Sequence, residues 1–262
     1  MFPLAPFPSL EGIALFALVL GRTTGIFSAI PLFGGKRVPL RVRVLLILCM
    51  TLVLFPILPL KGVKVPADAI GLVLMVAQEA TIGISLSLLS LVIFAAVELG
   101  GQIVGMQMGF TISSQFDPAM GQSSVVSAFQ GVLAALLFLV FDIHHFFIRA
   151  LVESYTLLPL GSWHMDGRLV EFAIASTGWV FLLGVKLAAP VMVSLLMANV
   201  ALGIMARAFP QMNIFMVSLP VTIGLGLIVL GLSLSSFVHI LSGAFGAIPL
   251  QMKSLFVLLA GG

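Results

Sequence analysis

The chain has 262 residues, 61% of them apolar and only 8% charged. A soluble domain carries about 25% charged residues, so this one has too little polar surface to coat a water-exposed globule of its size. Its net charge of +3 is scattered with no like-charge run, which leaves no footprint for nucleic acid. The lone Cys49 excludes an internal disulfide.

A helix needs about 20 apolar residues to cross a hydrocarbon core of about 30 Å. Six runs approach that standard: 10–33, 44–60, 69–97, 125–139, 172–205 and 214–240. A weaker seventh, 244–259, is broken by Pro249 and reads as a dip in the bilayer. The runs are too long for strands, and the alternating segments of about ten residues that mark a transmembrane barrel are missing. The predicted fold class is therefore an all-α membrane protein of about six long hydrophobic helices. The first positive charge is Arg22, inside the first run, so that run reads as a retained helix and not a cleaved signal.

Short connections follow from the turn formers. The link 34–43 holds Gly34, Gly35 and Pro39, and 61–68 holds two lysines and Pro66. Segment 100–124, rich in Gly, Ser, Gln and Met, is the longest stretch without an obvious element. The stretch 142–171 reads as a helix continuation followed by a turn at Pro159–Leu160–Gly161, and 206–213 carries Arg207 and a break at Pro210. Cytoplasmic loops normally carry the excess of Lys and Arg. Counted over six spans, Lys36, Arg37, Arg41, Arg43 and Arg207 fall on one side and Lys61, Lys64, Arg149, Arg168 and Lys253 on the other. The tie implies a different span count, or helices that do not cross lipid independently.

No zincin, nucleophile-elbow, P-loop, dinucleotide or CxxC motif is present, so no cofactor and no catalytic residue is assigned. His144 and His145 are the only adjacent histidines. Neighbouring helical residues point about 100° apart, so the pair reads as a polar helix-end cluster with Asp142, not a metal site. Arg22, Glu79, Glu98 and Lys186 lie inside apolar runs. An ionisable group in hydrocarbon costs roughly 2.5–3.5 kcal/mol on insertion scales. Each must therefore belong to a structural ion pair between helices or subunits, or line a conduit.

Gly101, Gly105 and Gly109 recur every four residues and form one stripe if the segment is helical, suited to close helix approach. Beyond it run Phe110, Thr111, Ile112, Ser113, Ser114, Gln115, Phe116, Asp117 and Pro118, with bulky Met106, Met108 and Met120 around them. Irregular backbone at membrane depth survives only when buried in protein or lining a cavity. The composition fits an external connection or a plug in a pore equally well.

Several segments carry a family resemblance: RTTGIF at 22–27 with PLFG at 31–34, EATIG at 79–83, GGQIVGMQMGF at 100–110 with Asp117–Pro118, DIHHFFIRALVESY at 142–155, KLAAPV at 186–191, and PQMNIF at 210–215 with Pro220. In this order they resemble the FliR/SctT family of the type III secretion export gate, nearer its flagellar branch, over essentially the whole chain. Lys186 departs from that family's mostly apolar pattern. The resemblance implies one export-gate domain over 1–262 in the bacterial inner membrane and flagellar basal body. It implies a helical hetero-oligomer with FliP and FliQ, raised partly out of the bilayer and contacting FlhB, through which unfolded flagellar subunits pass. It also implies that residues 105–124 form a plug-like loop, with Phe110 and Phe116 as blocking side chains. The competing reading is a stand-alone secondary transporter using Glu79, Glu98 and Lys186, but no inverted repeat supports it.

Overall fold

Helices in this protein are bounded by prolines, positive-φ residues and glycines. The computed structural model describes residues 10–34, 38–60, 63, 65–66, 68–110, 125–161, 167–211 and 213–259. Among them all regular structure is helical. Helix α1 is Leu10–Ala29, α2 the single turn Pro31–Gly34, and α3 Leu40–Leu54. Glu11 sits in the first turn of α1, where its charge complements the helix dipole. Pro31 disfavours helical geometry at the preceding residue and restarts the chain as α2. Pro56, which has no N–H to donate, follows the C-cap Phe55 of α3.

Helix α4 is Ala69–Gln107. Asp68 caps it, its carboxylate accepting the Gly71 N–H at 2.7 Å. Its 39 residues reach about 58 Å at 1.5 Å per residue, so the helix continues through 100–107, which the sequence reading left without an element. It ends at Gly109, whose φ of 88° suits a residue without a Cβ. Helices α5 (Val125–Val140) and α6 (Ile143–Leu157) are separated at Asp142, the sole non-glycine with positive φ among the described residues. Helix α7 is Gly167–Ala208, α8 Ile214–Leu232, α9 Leu234–Gly246 and α10 Ile248–Leu259. Pro190 lies inside α7 and cannot donate to the Lys186 carbonyl one turn back.

The six apolar runs do not map one to one onto spans. Among the described residues four stretches are long and apolar enough to cross a membrane: α1, α4, Val170–Ala208 in α7, and Leu234–Leu259. A fifth arises if α5 and α6 count as one broken span. Helix α3 has 15 residues, about 22 Å, and falls short of the hydrocarbon thickness. The run 214–240 is interrupted at Ser233, which ends α8. Hydropathy cannot detect such breaks because Ser233 and Asp142 sit among apolar neighbours.

Two compact units share the chain: Met1–Leu91 with Asp142–Ser176 and Ala247–Gly262, and Val92–Phe141 with Thr177–Gly246. In the first, α1 packs on α3 and α6 on α10. In the second, α9 packs on α5 and α8. There Val104, Met108, Val126, Ala188, Val191, Leu195 and Leu230 form a buried core. Phe94, Phe138 and Phe245 stack beside one another at 5.8–6.3 Å between ring centroids. Hydroxyls in the helices bond their own backbone, as Thr23 does to the Val19 carbonyl and Thr51 to that of Ile47, both at 2.8 Å. That lets polar side chains sit in apolar surroundings without an unsatisfied donor.

Candidate functional site

The first unit is organised around a buried ion pair. Arg22 on α1 and Glu79 on α4 have side chains 0% and 1% exposed. The Arg22 guanidinium presents Nε and Nη2 to Glu79 Oε2, each at 2.6 Å. Its remaining donors turn to the end of α6. Nη1 donates to the Ser154 carbonyl at 3.0 Å and to Ser154 Oγ at 3.1 Å, and Nη2 to the Leu158 carbonyl at 3.0 Å. The Leu158 carbonyl is one that a helix terminus leaves without an intrahelical donor, at the negative dipole end, while the Ser154 carbonyl also accepts the Leu158 N–H at 2.9 Å. Arg22 therefore caps α6 from a distant helix. The Tyr155 ring lies 4.3 Å from the guanidinium carbon, and its hydroxyl donates to the Val19 carbonyl at 3.3 Å.

Glu79 is equally occupied. Its second oxygen, Oε1, accepts the Gly161 N–H at 3.1 Å. Gly161 holds φ of 72° in the turn after α6, and a Cβ there would run into the Met75 methyl. Both oxygens of the carboxylate are thus engaged within the unit, and the arrangement ties α1, α4, α6 and the following turn together. A pair so buried is stable only with good geometry and further hydrogen bonds, and both are present.

Backbone proximity makes the pair possible. Gly21 lies over the Val76 carbonyl, and a Cβ on it would stand 3.0 Å from that oxygen. A Cβ on Gly25 would meet Gly83 Cα and Ile84 N at 3.0 Å, and one on Gly83 would meet Ile26 N at 2.8 Å. The small-residue stripe legible in the sequence, Gly101, Gly105 and Gly109, lies elsewhere and does not include these glycines. The signal was available: Gly21 and Gly25 on α1 are four apart, as are Glu79 and Gly83 on α4.

The second unit holds the stripe that the sequence reading did name. Gly101 lies against α5, where a Cβ would crowd Ser127 and stand 3.0 Å from Gln130 Oε1. Gly105 is buried on the same helix. Gly109 is not on the stripe, because it lies past the end of α4 with its positive φ. Met108 drapes over Gly226 of α8, and Phe110 packs against the Val104–Val191 core. Residues 111–118, and with them Phe116, Asp117 and Pro118, lie outside the described residues. Glu98, Lys186 and Arg207 are exposed. Glu98 accepts a 3.4 Å bond from Gln102, and no ion pair joins it to Lys186.

Residues 13–248 match the family model described as bacterial export proteins, family 1. The chain is 35% identical over 214 residues to the flagellar biosynthetic protein FliR of Pectobacterium carotovorum, covering 81% of each chain. It is 30% identical over 249 residues to that of Bacillus subtilis, covering 93% of this chain and 95% of the relative. The FliR of Caulobacter vibrioides is 33% identical over 84% of this chain and 88% of its own.

The chain belongs to the FliR family of bacterial export proteins.

As a FliR-family membrane protein it holds its ion pair, the glycines of α1 and α4, the Gly101 contact and the start of the 105–124 segment all within the matched region. A large apolar surface remains uncovered: only 28% of the membrane-length window in α7 is buried, against 56% in α1 and α4.

Proposed function

We propose that this protein is a channel-forming, non-enzymatic subunit of the flagellar type III export apparatus. It sits in the inner membrane at the basal body, assembles with FliP and FliQ beside FlhB, and passes unfolded flagellar subunits. The observation that carries this reading is the export-family match over 13–248, nine-tenths of the chain. The exposed apolar faces of α7 and α8, with Ile174, Phe181, Met197, Ile228 and Leu232 uncovered, supply surface that lipid or sister subunits would bury. In this reading residues 105–124 are the plug of the resting channel, with Phe110 and Phe116 as its blocking side chains.

Two measurements test it. A tagged chain should co-purify with FliP and FliQ from membranes; recovery of a stable, monodisperse monomer sinks the assembly. Deleting residues 109–124 should raise ion conductance through the assembled complex, and unchanged conductance removes the plug while leaving the assembly standing.

A further inference from the structure

The turn between α5 and α6 is built unlike an ordinary helix start. Asp142 occupies the N-cap of α6, where an Asp normally accepts a backbone N–H from the first turn. Its carboxylate makes no such bond. The residue instead adopts a left-handed conformation (φ 56°, ψ 25°), uncommon outside glycine. Its Oδ1 faces two imidazoles, 3.1 Å from His145 Nδ1 and 4.0 Å from His144 Nε2. The two rings lie 4.1 Å apart between centroids. The helical twist expected to separate them does not keep the two rings apart. One ligand atom from each of the three residues falls within 4.8 Å of the others. His144 Nδ1 is buried with no hydrogen-bond partner, so no protein group fixes that ring's tautomer. Asp142 and His145 are 73% and 61% exposed and His144 23%, leaving an open entry path.

We propose that Asp142, His144 and His145 form a binding site for one borderline divalent transition-metal ion, of the Zn²⁺ class, at the start of α6. Two imidazoles and a carboxylate suit Zn²⁺, Ni²⁺ or Cu²⁺ over Mg²⁺ or Ca²⁺, which prefer all-oxygen sets. The ion replaces the Asp142–His145 hydrogen bond, takes the His144 Nε2 that faces Asp142 Oδ1 and leaves coordination positions to water. All three ligands come from four consecutive residues, so the site pins the first turn of α6 and its left-handed entry.

The test uses the full-length chain purified through a histidine-free tag, with whatever gate subunits accompany it, after chelator stripping. Zn²⁺ titrated in competition with a chromophoric chelator should bind at one equivalent per chain. Asp142→Asn, His144→Gln and His145→Gln should each weaken it at least about tenfold, as losing a ligand exceeds the 10–100-fold effect of losing a ligand's supporting partner. His239→Gln, at an exposed position of α9, should leave it unchanged. Absence of saturable binding, or equal affinity in the His144→Gln/His145→Gln double variant, overturns the proposal. If the variants are not recovered, diethyl pyrocarbonate modification of the unaltered chain decides. Zn²⁺ should slow labelling at His144 and His145 but not at His239, and equal slowing or none overturns the site.

Discussion

Arg22 and Glu79, 57 positions apart in the chain, meet at 2.6 Å with neither side chain exposed. Removing one partner leaves the other charge buried and unpaired, which costs about 3–5 kcal/mol, whereas replacing both with apolar groups of similar volume is often close to neutral. Arg22→Ala and Glu79→Ala should therefore each sharply lower thermal stability and membrane abundance. The double variant Arg22→Met/Glu79→Leu should recover part of that loss, although it abandons the Ser154 and Leu158 carbonyls. Thermal unfolding of the purified complex measures this. Losses in the two single variants that simply add in the double one would mean that the charges do not depend on each other.

Tyr155 separates two contributions around the same guanidinium. Tyr155→Phe keeps the ring and loses the hydroxyl's bonds, the 3.3 Å one to the Val19 carbonyl and that with Thr23, so it should cost about 0.5–1.5 kcal/mol. Tyr155→Leu also removes the cation–π contact and should cost roughly 0.5–2 kcal/mol more. Equal stabilities for the two variants would show that the ring over Arg22 contributes packing alone.

Gly25 and Gly83 should resist enlargement. Exchanging Gly for Ala inside a helix ordinarily stabilises by roughly 0.5–1 kcal/mol. At Gly25 the added methyl would strike the Ala80 carbonyl and the backbone of Gly83 and Ile84, which cannot swing aside as a side chain can. Overpacking of about 1–3 kcal/mol then outweighs the propensity gain. Gly25→Ala and Gly83→Ala should lower the melting temperature, while Gly224→Ala, with nothing within 4 Å of its would-be Cβ, should hold or raise it. A stabilised Gly25→Ala variant would show that α1 and α4 do not approach this closely.

Gly101→Leu should disrupt the second unit, since its side chain must displace Ser127 and Gln130 on α5. The expected readout is loss of assembled complex from detergent-solubilised membranes, with Gly203→Leu, at a site with no neighbour within 4 Å, as the control for lost helix flexibility. Normal yield from Gly101→Leu would remove the packing constraint at this position.

The all-helical architecture was legible because hydropathy run length is a local property: apolar-rich runs of 15 to 34 residues are too long for strands, and 8% charge cannot coat a soluble domain. The helix start at Asp68 and the interruption at Pro31 are local in origin too, yet the run 10–33 passes over Pro31 without a break. The Arg22–Glu79 pair was not. The sequence offered four intramembrane charges and no rule for matching them, and tertiary structure joined two while leaving Glu98 and Lys186 apart and exposed. Nor could spacing separate Gly101, which meets α5, from Gly109, which ends α4 with positive φ. The breaks at Asp142 and Ser233, and the turning of Asp142 onto both imidazoles, likewise depend on where the next helix packs. Composition and periodicity determined that this protein is a set of apolar helices. Which charges cancel, which glycines touch and where a run bends were decided by contacts between residues distant in sequence, whose energies no local pattern encodes.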